Sequence, residues 1–141
     1  MRHVFLDASA IIYLLEGAPH VRAPVTEVLS SLRDTQDDPQ LTVSALSLLE
    51  CRVRPLRDGQ QTVVMRYEEF FADPGLLVVP LTQTVLDQAT RLRAERRLKT
   101  PDAIQAACAL EFGEQVPFVT GDRDFAQVAE LAVHSVAPPA G

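Results

Sequence analysis

Four acids stand where an apolar run gives way to a helical pattern: Asp7, Glu50, Asp102 and Asp122, with Asp124 two residues beyond the last. Asp7 closes the run Val4-Phe5-Leu6 and is followed by the small residues Ala8-Ser9-Ala10. Glu50 lies two turns into a helical pattern that opens at Ser44, and Asp102 follows the helix start Thr100-Pro101. Asp122 and Asp124 share the tight stretch Thr120-Gly121-Asp122-Arg123-Asp124. Carboxylates gathered without a cation repel one another and raise each other's proton affinity. A divalent ion relieves that repulsion. An all-oxygen donor set suits Mg2+ or Mn2+ rather than Zn2+, which takes His or Cys. His3, His20 and His134 are scattered, and Cys51 and Cys108 match no ligand spacing. An ion held by carboxylates suits phosphoryl chemistry, because it neutralises phosphate oxygens and activates water for in-line attack.

Each acid also has a purely conformational reading. Asp7 suits the N-cap of the following helix. Asp102 suits the positive end of its helix. Asp122 and Asp124 suit a turn, and Glu50 can close a capping box with Ser47. The chain holds 19 acids in 141 residues and a net charge of −6, so no global positive field advertises a polyanionic partner. A local stripe would have to serve. The nearest is Arg91, Arg93, Arg96, Arg97 and Lys99, which reads equally as a solvated helix face. Arg52, Arg54 and Arg57 form a weaker second group beside Glu50. With six Phe, two Tyr and no Trp, mostly at apolar positions, base reading by stacking is not visible.

The elements that must position these acids are legible from periodicity. Val4 to Leu6, Leu41 to Val43, Leu76 to Val79, Val116 to Val119 and Ala132 to Val136 read as strands. The third, apolar throughout, reads as buried on both faces. Helical patterns fall at Ile11 to Leu15, His20 to Arg33, Ser44 to Arg54, Gln61 to Phe71, a segment capped by Thr82 or Thr84, and Pro101 to Phe112. Pro55 is expected to end the third of these. Val85, Leu86, Ala89 and Leu92 are expected on one inner face, and Gly113 as a helix-terminating glycine. Strands alternating with helices imply an α/β fold, a mostly parallel sheet of four or five strands with helices on both faces. In such a sheet, Asp7 and Asp122 share the rim at the strands' carboxyl ends, where ligands bind. Residues 1–137 make one domain, with 138–141 as a short flexible tail. Cys51 and Cys108 read as reduced core thiols. The chain lacks a signal-peptide pattern and an apolar run of about 18 residues, so a cytoplasmic protein with no membrane partner is expected.

Taken together, Leu6 to Ile12, Ser44 to Glu50, Pro101 to Ala107 and Val119 to Phe125 resemble the PIN domain. More closely, the chain is similar to the VapC-type toxins of toxin–antitoxin pairs, in the right order and over almost its whole length. The resemblance implies a metal-dependent endoribonuclease whose Mg2+ or Mn2+ is held by Asp7, Glu50, Asp102 and Asp122. It also implies that Ser9 and Thr120 stand at hydroxyl positions that orient a carboxylate or a water, with Asp124 at a variable position. The implied partners are an RNA substrate, a small VapB-type antitoxin whose tail blocks the site, and a second copy in a homodimer.

Two other classes compete. A different Mg2+-dependent phosphohydrolase on a doubly wound sheet is one. A phosphatase of the haloacid-dehalogenase kind wants a second Asp two residues after the first, and here Ser9 stands there. A topoisomerase-primase type of site would use Asp122 and Asp124 as its pair but wants Glu, not Asp7, after the first strand. A non-catalytic module that binds RNA or protein is the other. Against it stands the full acid set, which a scaffold has no reason to keep. Neither a covalent nucleophile with its base nor a G-x-x-x-x-G-K-[ST] loop is visible.

Overall fold

Residues 2–35 and 38–138 are described by the computed structural model. Of the expected tail, residues 139–141 lie outside the described residues. The chain runs β1 (His3–Leu6), α1 (Ala8–Glu16), α2 (Pro19–Thr35), β2 (Gln40–Ser44), α3 (Ala45–Arg57), α4 (Gln61–Ala72), β3 (Leu77–Val79), α5 (Gln83–Arg96), α6 (Thr100–Leu110), β4 (Pro117–Thr120), a 3-10 turn (Arg123–Gln127) and β5 (Ala132–Ser135).

All five strands are parallel, in the order β3-β2-β1-β4-β5. The chain builds outward from β1 through β2 to β3, then returns to the far side of β1 for β4 and β5. The carboxyl ends of β1 and β4 are therefore the topological switch point, where open parallel sheets leave a crevice.

Alternation along the strands sends successive side chains to opposite faces. Val4 and Leu6 of β1 join a core with Val43, Val119, Ile11, Val25, Cys51 and Tyr67, under α1 to α4. Phe5, between them, joins a second core with Phe118, Val85, Leu92 and Ala106, under α5 and α6. Rings of Phe5 and Phe118 stack at 5.3 Å between centroids. Burying each such side chain contributes about 1.5–3 kcal/mol. The alanines Ala103, Ala106, Ala107 and Ala109 let α6 lie close to its neighbours. Both cysteines are free and buried.

Several local expectations need correction. Leu76 to Val79 is not doubly covered: β3 is an edge strand, and Leu77 is 37% exposed. Leu86 points outward from α5 at 45% exposure, while Val85, Ala89 and Leu92 face the core. Pro55 does not end α3, which continues to Arg57. A proline this near the helix end leaves a single carbonyl unpaired, and Gln60 N closes the end onto Pro55 O at 2.8 Å. Helix α2 runs two residues past Arg33. Thr100 is itself the first residue of α6, after Lys99, while Thr82 caps α5 by accepting from Val85 N at 3.2 Å.

Candidate metal centre

The switch point is stitched together by short polar side chains. Asp7 N donates to Val119 O across β1 and β4 at 3.2 Å. The Asp7 carboxylate, 4% exposed, then uses both oxygens. Its Oδ1 caps α1, accepting from Ala10 N at 3.0 Å and from Ser9 Oγ at 2.7 Å. Its Oδ2 accepts from Thr120 Oγ1 at 2.5 Å. The capping and site readings of Asp7 thus coexist in one side chain. Burial pushes its carboxyl above the usual range. Thr120, Ser9 and Ala10 pull it back, and the charge of Asp122 adds to the push.

Ser9 and Thr120 also organise the loop after β4. Gly121 N donates to Ser9 Oγ at 2.9 Å, and Asp122 N donates to Thr120 Oγ1 at 2.9 Å. Asp122 Oδ1 accepts from Asp124 N at 2.9 Å, which starts the 3-10 turn and folds Asp124 back beside Asp122. The ring of Tyr13, one turn after Ser9 on α1, lies over Gly121. A Cβ at residue 121 would fall 2.4 Å from Tyr13 Cε2.

Asp102 enters from the first turn of α6. It offers a carboxylate oxygen within 4.8 Å of those of Asp122 and Asp124. Its pKa is pushed up to about 6, first by burial and then by the charges of Asp122, Asp124, Asp7 and Glu50. Asp7 and Glu50 stand outside that triad but are close enough for their charge to be felt at Asp102. The structure therefore brings Asp124 into the cluster beside Asp122 rather than separating the two.

Glu50 is held from α6. Gln105 Nε2 donates to Glu50 Oε1 at 2.9 Å and to Ser47 Oγ at 2.8 Å. The capping box expected of Ser47 and Glu50 is absent. The cap of α3 is Ser44 Oγ, which accepts from Leu46 N at 3.1 Å, and Ser47 lies buried inside the helix. Gln105 is not singled out in the sequence, and Ser47 is read there only as a capping residue. The available signal is the spacing of Gln105, three residues after Asp102 and so on the same helix face.

The donor set fits a hard divalent ion. It is all carboxylate, and among the described residues no salt bridge reaches Asp102, Asp122 or Asp124. Burial raises the proton affinity of Asp102 most, and the neighbouring carboxylate charges add to it.

The basic stripe is placed unevenly. Arg96 is tied bidentately to Glu130, with NH1 to Oε1 at 2.9 Å and NH2 to Oε2 at 2.8 Å. Arg93 NH1 donates to Leu98 O at 3.0 Å. Arg91, Arg97 and Lys99 are exposed, and Arg97 takes a left-handed φ of 55° at the end of α5. Lys99 stands directly before α6, three residues from Asp102. Near Glu50, Arg52 Nε bonds Leu48 O within its own helix, and Arg57 meets Asp58 at the surface. Arg54 is exposed.

No curated protein sequence matches the chain. Among solved structures, a toxin–antitoxin complex from Klebsiella pneumoniae is similar at a TM-score of 0.69 and 22% identity, covering 91% of this chain and 94% of the other. VapBC2 from Rickettsia felis, bound to a DNA fragment from its promoter, is similar at 0.71 and 14%, covering 94% and 98%. VapC20 from Mycobacterium tuberculosis, a sarcin-ricin loop cleaving toxin, is similar at 0.70 and 17%, covering 90% and 95%. At these identities the likeness is one of fold. The model of the PIN domain matches residues 4–131, nearly the whole chain, so the chain belongs to the PIN domain family.

Proposed function

We propose that the chain is a metal-dependent endoribonuclease of the VapC kind, the toxin of a toxin–antitoxin pair. The observation that carries this is the carboxylate triad of Asp102, Asp122 and Asp124 at the switch point, with Asp7 and Glu50 beside it. The neighbours' descriptions agree with it: one is a toxin that cleaves the sarcin-ricin loop, and another is a toxin–antitoxin complex. In this reading Asp7, Glu50, Asp102 and Asp122 hold one or two Mg2+ or Mn2+ ions, with Asp124 beside them. When bound, such an ion neutralises phosphate oxygens and activates water for in-line attack.

The chain's own residues supply position. Asp7 cannot swing, because three donors fix its two oxygens. Ser9 and Thr120 hold the loop that carries Asp122 against β1. In this reading Arg97 and Lys99, exposed and just before α6 in the chain, take the phosphates that flank the cut strand. Most of the barrier reduction then comes from fixed geometry and charge neutralisation. No described helix is long and apolar enough to cross a membrane, and the proposed site of action is the cytoplasm. A small antitoxin and a second copy of the chain complete the proposed assembly.

The test is incubation of purified, antitoxin-free protein with total bacterial RNA and Mg2+ or Mn2+, followed by mapping of new RNA ends. Discrete ends are expected that vanish with EDTA and with Asp7→Asn. The Asn side chain can still cap α1 through its oxygen, so that variant keeps the fold. Absence of new ends from folded wild-type protein would sink the ribonuclease reading for that RNA pool.

A further inference from the structure

Gln105 is almost fully buried, at 2% exposure, yet only half of its amide is satisfied. Its two N–H groups go to Glu50 Oε1 and Ser47 Oγ. Among the described residues its Oε1 has no partner. An ionised carboxylate only accepts hydrogen bonds, so the amide must turn its NH2 toward Glu50. The orphaned carbonyl is the consequence. Buried polar atoms are rarely left unpaired, and an exception asks for a reason.

We propose that Gln105 is a positioning residue for Glu50, fixing its carboxylate toward the metal centre from the helix that also carries Asp102. The inference rests on the metal-dependent reading above. Asp102 and Gln105 are three residues apart on α6 and share a face. One helix therefore delivers a carboxylate and orients a second one that belongs to α3. Glu50 Oε1 is engaged by Gln105, which leaves its other oxygen free of that bond. Partners that orient a ligating carboxylate set metal affinity without touching the metal, and their loss typically costs about 10–100-fold in affinity.

The test is Mn2+ titration of metal-free protein, followed by water-proton relaxation, with thermal melting of the same samples. Gln105→Met keeps the volume and removes both the donors and the orphaned carbonyl. It is expected to weaken Mn2+ binding about 10-fold or more, while the metal-free melting temperature does not fall. A merely structural role predicts the opposite pair of results. In a Glu50→Ala background, Gln105→Met should bring no further loss. If Glu50→Ala alone falls below the measurable range, the single-variant comparison decides. Wild-type Mn2+ affinity in Gln105→Met overturns the proposal, as does an equal further loss in the Glu50→Ala background. Absence of Mn2+ binding by the wild type would instead overturn the metal-dependent reading, and this inference with it.

Discussion

Asp102 and Asp7 are both carboxylates near one centre, but their surroundings differ. Asp7 is buried and answered by three donors. Asp102 gains no such partner among the described residues, and burial first, then four neighbouring carboxylates, raise its pKa to about 6. Between its ordinary value of 3.8 and about 6, the folded chain holds a proton that the unfolded chain has lost. The stabilising contribution is then fully present below pH 3.8 and is lost as the pH rises through about 6. Metal-free protein should therefore carry a strain at pH 7.5 that is partly relieved at about pH 5 and gone below pH 3.8. Asp102→Asn removes the charge. In EDTA it is expected to melt higher than wild type at pH 7.5, with a smaller gap at pH 5. Added Mn2+ should raise the wild-type melting temperature at pH 7.5 and leave the variant's unchanged. Equal melting of the two proteins in EDTA at both pH values would remove the carboxylate repulsion from the account. The same substitution should abolish RNA cleavage, so a more stable variant is also an inactive one.

At the scale of elements, the loop from β4 into the 3-10 turn is set by a close contact. Gly121 lies under the Tyr13 ring, and a methyl group there would overlap Cε2, Oη and Cζ, all within 2.7 Å. Gly121→Ala must move either the ring or the loop, and overpacking of this kind typically costs about 1–3 kcal/mol. The expected result is a lower urea midpoint and weaker Mn2+ binding, since Asp122 moves with the loop. Tyr13→Leu in the same chain should restore much of the stability, because it frees the space; a double variant no more stable than Gly121→Ala would place the clash elsewhere. This contact also marks what the sequence carries and what it hides. The strands were legible because buried apolar runs look alike in any sheet. For the same reason Leu76 to Val79 could not be told from a covered strand: nothing in four apolar residues says whether β3 has a neighbour on both sides. Asp7 was legible because it ends a strand before small residues. Ser47 and Glu50 fit a capping pattern locally, but their partner, Gln105, lies 55 residues beyond Glu50. Asp124 looked peripheral because only the Asx turn at Asp122 folds it back toward Asp102.

At the scale of the whole molecule, one surface asks to be covered. Leu49, Val53 and Leu56 are 57%, 49% and 61% exposed, at helical spacing along α3, and Met65 of α4 is 57% exposed. Three large apolar residues in one stripe, with a fourth exposed on α4, differ from the isolated exposed side chains of ordinary surfaces. The groove along this stripe is lined by Leu49, Arg52, Val53, Leu56, Gln61, Val64 and Glu68. Opposite charges, Arg52 and Glu68, thus border one apolar strip. A two-fold axis that laid this strip on its own copy and brought each Arg52 toward the Glu68 of the other would make the patch self-complementary. The homodimer proposed above is expected to use this face. Leu56→Glu should shift sedimentation equilibrium from dimer to monomer at micromolar concentration. Its metal-free melting temperature, read at a concentration where the wild type has dissociated, should match wild type, because Leu56 gives the protomer little burial. Arg52→Glu should weaken the dimer, and Arg52→Glu with Glu68→Arg should restore it, since the exchanged charges still meet across the axis. Wild-type protein that sediments as a monomer at all concentrations would end the dimer reading and leave the stripe to the antitoxin. A dimer indifferent to Leu56→Glu would move the interface to another face.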